Sequence, residues 1–298
     1  MRIRIPATTA NLGCGFDSFG MALGYYNYLD FEEASKASVQ IVGHGAKHLP
    51  VNAQNLILRA AQAVYDSTNS GSAMLSIIAH NNIPLSRGMG SSSAAIVGGL
   101  YAANHVLGQP LSKDKLLLLA TEIEGHADNV APALLGGFIV IVHEGNEQRV
   151  KRLALPPSLK SVLAVPDFTV STKRARFILP QKVMLTDAVY NLSHAAFMVL
   201  SLAEGDLHGF GEMLKDRLHQ VHRLKLIPGG GAVAQAAQAA GALGCAISGS
   251  GPTMIAFYEG EKEQGIAIGE AMRSAFALER IQADIMLVSP DNIGTLVV

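Results

Sequence analysis

Apolar and polar positions alternate from Arg2 to Ile5 and stop at Pro6, the pattern of a short edge strand. Strand patterns recur over residues 28–33 and 39–42. Over residues 52–67 the period changes to that of a helix, with Leu56, Ala60, Ala63 and Val64 on one side. Residues 73–79 read as a strand. A Gly-Ser segment follows and runs into an Ala-rich helix over about residues 92–107. Ser112 is placed to cap the next helix, which carries Leu116 to Leu119 and ends near Gly125. A continuous apolar run of strand length, 138–142, is entered through Gly136 and Gly137. Pro156 and Pro157 then break the chain, and a domain boundary near residue 155 is expected, giving units 1–155 and 156–298. Beyond it the pattern predicts a strand at 161–165, long helices at 184–203 and 207–222, and a helix at 229–240. Strands at 245–248 and 253–258, a helix at 261–276 and a strand at 281–288 complete it. The second half therefore reads β-α-β-β-α-β with extra helices, a ferredoxin-like order.

Composition narrows the class. The chain has 298 residues, 49% apolar and 16% charged, which suits a folded enzyme rather than a disordered chain. A formal net charge of -1 gives no electrostatic footprint for nucleic acid or an acidic membrane surface, so any anion site must be local. The two cysteines, Cys14 and Cys245, form no CxxC pair, and free thiols in a reducing compartment are expected. The N-terminus MRIRIP lacks a signal-like apolar stretch, and no apolar run approaches the ~18 residues of a membrane helix. The expected location is the cytoplasm, with no membrane partner.

The strongest chemical signal is PLSRGMGSSSA: Pro84, Leu85, Ser86, Arg87, Gly88, Met89, Gly90, Ser91, Ser92, Ser93 and Ala94. It lies between a predicted strand and a predicted helix. The glycines let backbone come close to a ligand, and the serines sit where a helix has unpaired N–H groups. Helix dipole, N–H groups and hydroxyls together favour a polyphosphate, with Arg87 adding positive charge. The segment lacks the GxxxxGK[ST] of a Walker A loop and the glycine spacing of a Rossmann fingerprint. An ordinary Gly-Ser loop with a capping serine is the plain alternative.

PLSRGMGSSSA resembles the second motif of the GHMP kinases. PATTANLGCGFD (residues 6–17) and EGHADNVAPALLGG (residues 124–137) are similar to the homoserine kinases within that group, as is STKRARFILP (residues 171–180). ISGSGPT (residues 247–253) resembles the superfamily's C-terminal glycine loop. The resemblance implies an α+β, two-domain fold: an N-terminal domain like ribosomal protein S5 domain 2 and a C-terminal ferredoxin-like domain. It implies transfer of the ATP γ-phosphoryl group to the hydroxyl of L-homoserine, giving O-phospho-L-homoserine for threonine biosynthesis. Members of the family often form dimers, so a homodimer is among the states the resemblance allows.

Residue by residue, the resemblance puts Mg2+ on Ser92 and Glu124. The amino-acid end goes to Asn11 and Asp17, and the carboxylate to Arg176 and Arg223. Thr172 lies nearby, and His126, Asp128 and Asn129 lie around the hydroxyl and γ-phosphate. Asn55, in an N-L-I segment, is placed near adenine. Plain alternatives stand beside each of these. Asn11 and Asp17 could shape a turn. Asp128 could cap a helix starting near Val130. Asn55 could be a cap, and Arg176 and Arg223 could be surface charges. Glu124 could be a solvated glutamate, although negative charge is mildly unfavourable at a helix C-terminus. His219 and His222, three apart on a predicted helix, have metal-ligand spacing but no evident third ligand. Asparagine cannot accept a full proton, which argues against Asn129 as a base. A mevalonate or sugar kinase lacks the need for paired ammonium and carboxylate sites. A non-catalytic sensor on the same fold would usually lose Glu124 or the cradle serines.

Overall fold

The computed structural model describes residues 1–145 and 147–298. The chain begins with β1 (Arg2–Ala10), β2 (Phe19–Glu33), β3 (Ser38–Gly43), α1 (Leu56–Ser67) and β4 (Leu75–Asn81). There follow α2 (Ser91–Val106), α3 (Lys113–Glu124), α4 (Ala127–Leu135), β5 (Phe138–Glu144) and β6 (Glu147–Leu153). The second half comprises β7 (Leu159–Pro166), α5 (Thr172–Phe177), α6 (Leu185–Glu204), α7 (Leu207–Glu212) and α8 (Gln220–Arg223). It closes with α9 (Gly230–Ala239), β8 (Gly244–Ile247), β9 (Met254–Glu259), α10 (Lys262–Leu278), β10 (Ala283–Val288) and β11 (Leu296–Val297). Among the described residues no helix is long and apolar enough to cross a membrane.

The first sheet runs β11-β1-β2-β4-β3, and β5 joins the beginning of β2 with β6 outside it. β1 does not stop at Pro6 and is not an edge. It runs on to Ala10, pairs with β2 along its length, and takes β11 on its other side at Ile3 and Arg4. Pro6 is tolerated because the register shifts between Pro6 and Ala7, and a bulge relaxes the demand for a ladder N–H. Helices α2 and α4 pack on β1 and β2. α2 is buried over most of its circumference, which its small side chains permit. A Cβ at Gly99 would sit 2.2 Å from the Ile57 carbonyl, so glycine there is what lets α1 lie against α2.

The second sheet has the order β10-β7-β9-β8, the 4-1-3-2 arrangement of a ferredoxin-like unit. β7, β8 and β9 are largely buried, and charge is confined to Lys160, Glu259 and, on the outer strand β10, Asp284. Leu163, Ile255 and Phe257 turn into the core shared with the first sheet, while Val162, Met254 and Ala256 face α9 and α10. The alternation follows from the two-residue period of a strand.

The long helix expected over residues 207–222 is broken into α7 and α8. The cause is Asp216, whose carboxylate accepts from the backbone N–H of Leu218, His219 and Gln220. It thereby offers the chain a cap instead of another helical turn. His219 is the residue preceding α8, so His219 and His222 do not share a helix face. No cluster of three His, Cys, Asp or Glu suited to a metal occurs among the described residues.

Candidate active site

Three glycine-bearing segments meet between the two sheets. The first leaves β1 through Asn11, Leu12 and Gly13, all with left-handed φ (70°, 46° and 69°). The second is the loop from β4 into α2, and the third joins β8 to β9. Backbone bonds join them: Thr8 N–H to Met89 O at 3.1 Å and Gly249 N–H to Ala10 O at 3.2 Å. Ser248 Oγ donates to Gly88 O at 2.6 Å and lies 3.0 Å from Thr9 Oγ1. The glycines of the second segment serve this contact. A Cβ at Gly88 would lie 2.1 Å from Ser248 O, and one at Gly90 would lie 1.9 Å from Thr8 Oγ1.

Gly90 occupies the N-cap of α2 with φ 71° and has no side chain to cap it. The N–H groups of Ser91, Ser92 and Ser93 therefore stand at an anion-favouring helix start. Glu124, at the last turn of α3, comes up beside them. Its Oε1 accepts from Ser92 Oγ at 2.5 Å and Ser93 Oγ at 2.9 Å. Three oxygen-bearing side chains thus converge at one point, a donor set of the hard type that magnesium takes. Glu122, two residues back, is exposed. Arg87 donates Nη2 to Asp167 O at 2.9 Å, while its Nη1 is buried and has no partner among the described residues.

Next to the cradle lies a chain of polar contacts. His126 Nδ1 is 2.6 Å from Asp128 Oδ1, which also accepts from Asn129 Nδ2 at 3.2 Å. Thr8 Oγ1 donates to Asn129 Oδ1 at 2.8 Å and fixes the amide's orientation. Asp128 is not a helix cap: His126 precedes α4, and Asp128 is 2% exposed in its first turn. Burial, the largest influence on His126, pulls its pKa down. The bond and charge of Asp128, with the charge of Glu124, outweigh that, and the net shift is upward.

Farther from α2 stand the charges. Arg176 and Asp17 form a two-bond pair, at 2.7 and 2.8 Å, linking α5 to the loop after β1. Asn11 accepts from Asp17 N–H at 3.0 Å and donates to Gly249 O at 2.9 Å, so it shapes the turn and holds Asp17 in place. Arg223 is no surface charge. It is 2% exposed and donates to Gly249 O at 3.0 Å and Ala175 O at 3.3 Å. Its guanidinium lies 5.2 Å from the centre of the Phe16 ring. Burial lowers its pKa to about 10, against the raising effect of Asp17. His219, fully buried beside it, is pushed down to about 4 by burial and stays neutral. Its Nε2 lies 2.8 Å from Gly13 O, which leaves Nδ1, 3.4 Å from Arg223 Nη1, as an acceptor.

One cavity of about 460 Å³, within the usual range for a small-molecule site, brings these groups together. It is lined by Asn11, Asp17, Asn55, Leu85 to Ser93, Glu124, His126, Asp128, Asn129, Thr172, Arg176 and Arg223. Ala94 is turned into the core, and Pro84 precedes the wall. Asn55 is both a helix cap, accepting from Ile57 N–H, and a wall residue. Thr172 Oγ1 lies 3.4 Å from Ser250 Oγ. Ile41, Leu49, Pro50, Leu56 and Ile57 form an apolar slot that carries no chemical signal in the residue pattern. Gly249 and Ser250 complete the wall; their glycine-loop pattern was visible, but not their position.

Residues 55–137 match the model for the GHMP kinases N terminal domain, and residues 198–278 match that for the GHMP kinases C terminal. The chain is 45% identical over 296 residues to a homoserine kinase of Moorella thermoacetica, covering 99% of both chains. It is 41% identical over 296 residues to one from Carboxydothermus hydrogenoformans, covering 99% of this chain and 95% of the relative. The crystal structure of a homoserine kinase from Cytophaga hutchinsonii superposes with a TM-score of 0.90 at 34% identity, covering 100% of this chain and 97% of that one.

Proposed function

The chain belongs to the GHMP kinases, in their homoserine kinase branch, and from that premise we propose that it phosphorylates the hydroxyl of L-homoserine with ATP. The observation that carries the reading is a juxtaposition. An anion-binding helix start and a pair of buried or half-buried arginines with an aspartate face the same cavity. A magnesium nucleotide and a zwitterionic alcohol require those two chemistries side by side.

In this reading the N–H groups of Ser91, Ser92 and Ser93 hold phosphate oxygens, with Arg87 adding charge. Ser92 and Glu124 would hold Mg2+, which would supply neutralisation of phosphate charge. Asn55 and the slot of Ile41, Leu49 and Ile57 receive the adenine. Asp17, steadied by Asn11, pairs with the substrate ammonium, and Arg176 and Arg223 with its carboxylate. Thr172 borders the same end.

Transfer is direct and in line, with no phosphoenzyme, and rests on positioning and electrostatics. Asp128 receives both of its described bonds on Oδ1, which leaves Oδ2 to orient the substrate hydroxyl and take its proton late. The raised pKa of His126 keeps a larger cationic fraction near the transferring phosphoryl group. Asn129, fixed by Thr8, orients and does not accept a proton.

The test is ADP release, with and without Mg2+, against homoserine, mevalonate and a panel of sugars. Magnesium-dependent release with homoserine is expected. Turnover of a sugar or mevalonate in its place would redirect the substrate assignment, and no turnover with any alcohol would favour a sensor.

A further inference from the structure

The loop after β1 turns at Gly13, where φ is 69° and a Cβ would lie 2.0 Å from Leu214 O. Glycine there lets the loop settle on the segment between α7 and α8, and its carbonyl comes within 2.8 Å of His219 Nε2. Asp216 holds the same histidine from another side. Its Oδ2 accepts from the His219 backbone N–H at 2.8 Å and lies 3.8 Å from Nε2. Two acceptor oxygens therefore face one ring nitrogen and fix the proton on Nε2. Nδ1 is left with a bare lone pair. The side chain is fully buried, and burial keeps the ring neutral, its pKa pushed down to about 4.

That lone pair meets a group that can only donate. Arg223 Nη1 lies 3.4 Å from it. The same nitrogen donates to Gly249 O at 3.0 Å, and Nε donates to Ala175 O at 3.3 Å. Nη2 makes no bond among the described residues, yet it is not sealed from solvent, and Arg223 lines the cavity. Arg223 thus offers a ligand one nitrogen, aimed by whatever grips the other two. The Phe16 ring steadies the plane of the fork, 5.2 Å from the guanidinium carbon and 5.1 Å from the His219 ring.

On the homoserine reading, which this extends, we propose that His219 is a positioning residue for the substrate carboxylate: its Nδ1 anchors Arg223 Nη1 so that Nη2 is held ready for the incoming anion. A neutral acceptor suits this task. A carboxylate in the same place would pair with the guanidinium and spend the charge that the substrate needs. An imidazolium would set donor against donor and cation against cation.

Two amide substitutions separate the two bonds of the ring. His219→Asn places an amide oxygen near the position of Nδ1, where it accepts from Arg223, but falls short of Gly13 O. His219→Gln places an amide nitrogen near the position of Nε2, where it donates to Gly13 O. The Asn variant is expected to keep a homoserine KM near that of the wild type, at a lower unfolding midpoint in urea. The Gln variant is expected to raise that KM at least about fivefold, the worth of one modest hydrogen bond, with kcat and the KM for ATP near wild type. A merely structural histidine gives the opposite order, the less stable Asn variant being the poorer binder. That order overturns the proposal, as does an equal rise in both KM values. A measurement on the wild type needs no variant to fold. Nitrogen-edited NMR of the imidazole is expected to show the neutral Nε2–H tautomer at neutral pH, and the Nδ1–H tautomer or an imidazolium overturns the proposal. A wild type that phosphorylates mevalonate or a sugar in place of homoserine overturns instead the substrate reading beneath it.

Discussion

Replacing Arg223 by methionine keeps an unbranched apolar stem and removes the charge and the planar fork. In the folded chain the guanidinium is almost wholly buried and, with a pKa of about 10, cationic at neutral pH. A hydrogen bond to a charged group contributes about 1.5–3 kcal/mol. At about 1.4 kcal/mol per factor of ten, the KM for homoserine should therefore rise roughly 10- to 150-fold. The KM for ATP should stay nearly constant, because Arg223 lies at the Asp17 end of the cavity and makes no described bond to the cradle. The same substitution removes the donor to Ala175 O, at about 1–3 kcal/mol where water cannot reach that acceptor, while Gly249 O keeps its bond from Asn11 Nδ2. Urea unfolding run in parallel separates that loss from the binding defect. Steady-state kinetics with both substrates varied, below the variant's unfolding transition, are the assay. An equal rise in both KM values, or a fall in kcat with the homoserine KM unchanged, would refute the assignment of Arg223 to the carboxylate.

Ser92→Ala and Glu124→Ala should each lower kcat by at least about a hundredfold, the scale of losing one electrostatic contact to the reacting group. The Mg2+ concentration needed for half-maximal rate should rise, and the thermal unfolding profile should change little. Gly90→Ala should unfold at a temperature several degrees lower. It combines a left-handed φ of 71° with a Cβ 1.9 Å from Thr8 Oγ1, whereas Gly108→Ala, with φ 78° and open space around it, bears only the strain of about 1–2 kcal/mol. Equal shifts in the two would mean that the packing of Gly90 on Thr8 is unimportant. The pair of His126 and Asp128 should stabilise the chain most in acid. Because the folded pKa of His126 is raised above 6.5, its contribution is complete below that pH and is lost as pH rises through the folded value. Urea melts of wild type and His126→Gln should therefore converge with increasing pH, and divergence would contradict the upward shift.

Local chemistry was legible in the chain, and long-range packing was not. Ser112 and Gly125 bound α3 as their residue types suggest, because a cap is decided within a few residues. The cradle is equally local, and its helix begins at Ser91, one residue from expectation. The reason for its glycines was only half visible. Sequence reasoning assigned them to close approach of a ligand, whereas their missing Cβ atoms make room for Ser248 O and Thr8 Oγ1, contacts formed by segments 160 and 82 residues away. For Arg223 the resemblance implied a site role, but the burial was not legible in the residue itself: exposure is the default for arginine, and only the fold supplies Gly249 O, Ala175 O and the Phe16 ring around it. The break between α7 and α8 was hidden because an aspartate within a helical pattern signals nothing until its carboxylate gathers three backbone N–H groups. The apolar slot of Ile41, Leu49 and Ile57 reads in sequence as ordinary core.

The last strand, β11, has a bearing on how the molecule is made. Val298 N–H donates to Arg2 O at 2.9 Å, Asp291 N–H to Ala22 O at 2.9 Å, and Thr295 Oγ1 to Ala133 O at 2.9 Å. The strand β1 thus gains its full set of neighbours only once residues 296–298 have been synthesised. Until then its free margin is open to unwanted pairing with other chains. Deleting residues 296–298 would prolong that exposure for the life of the protein.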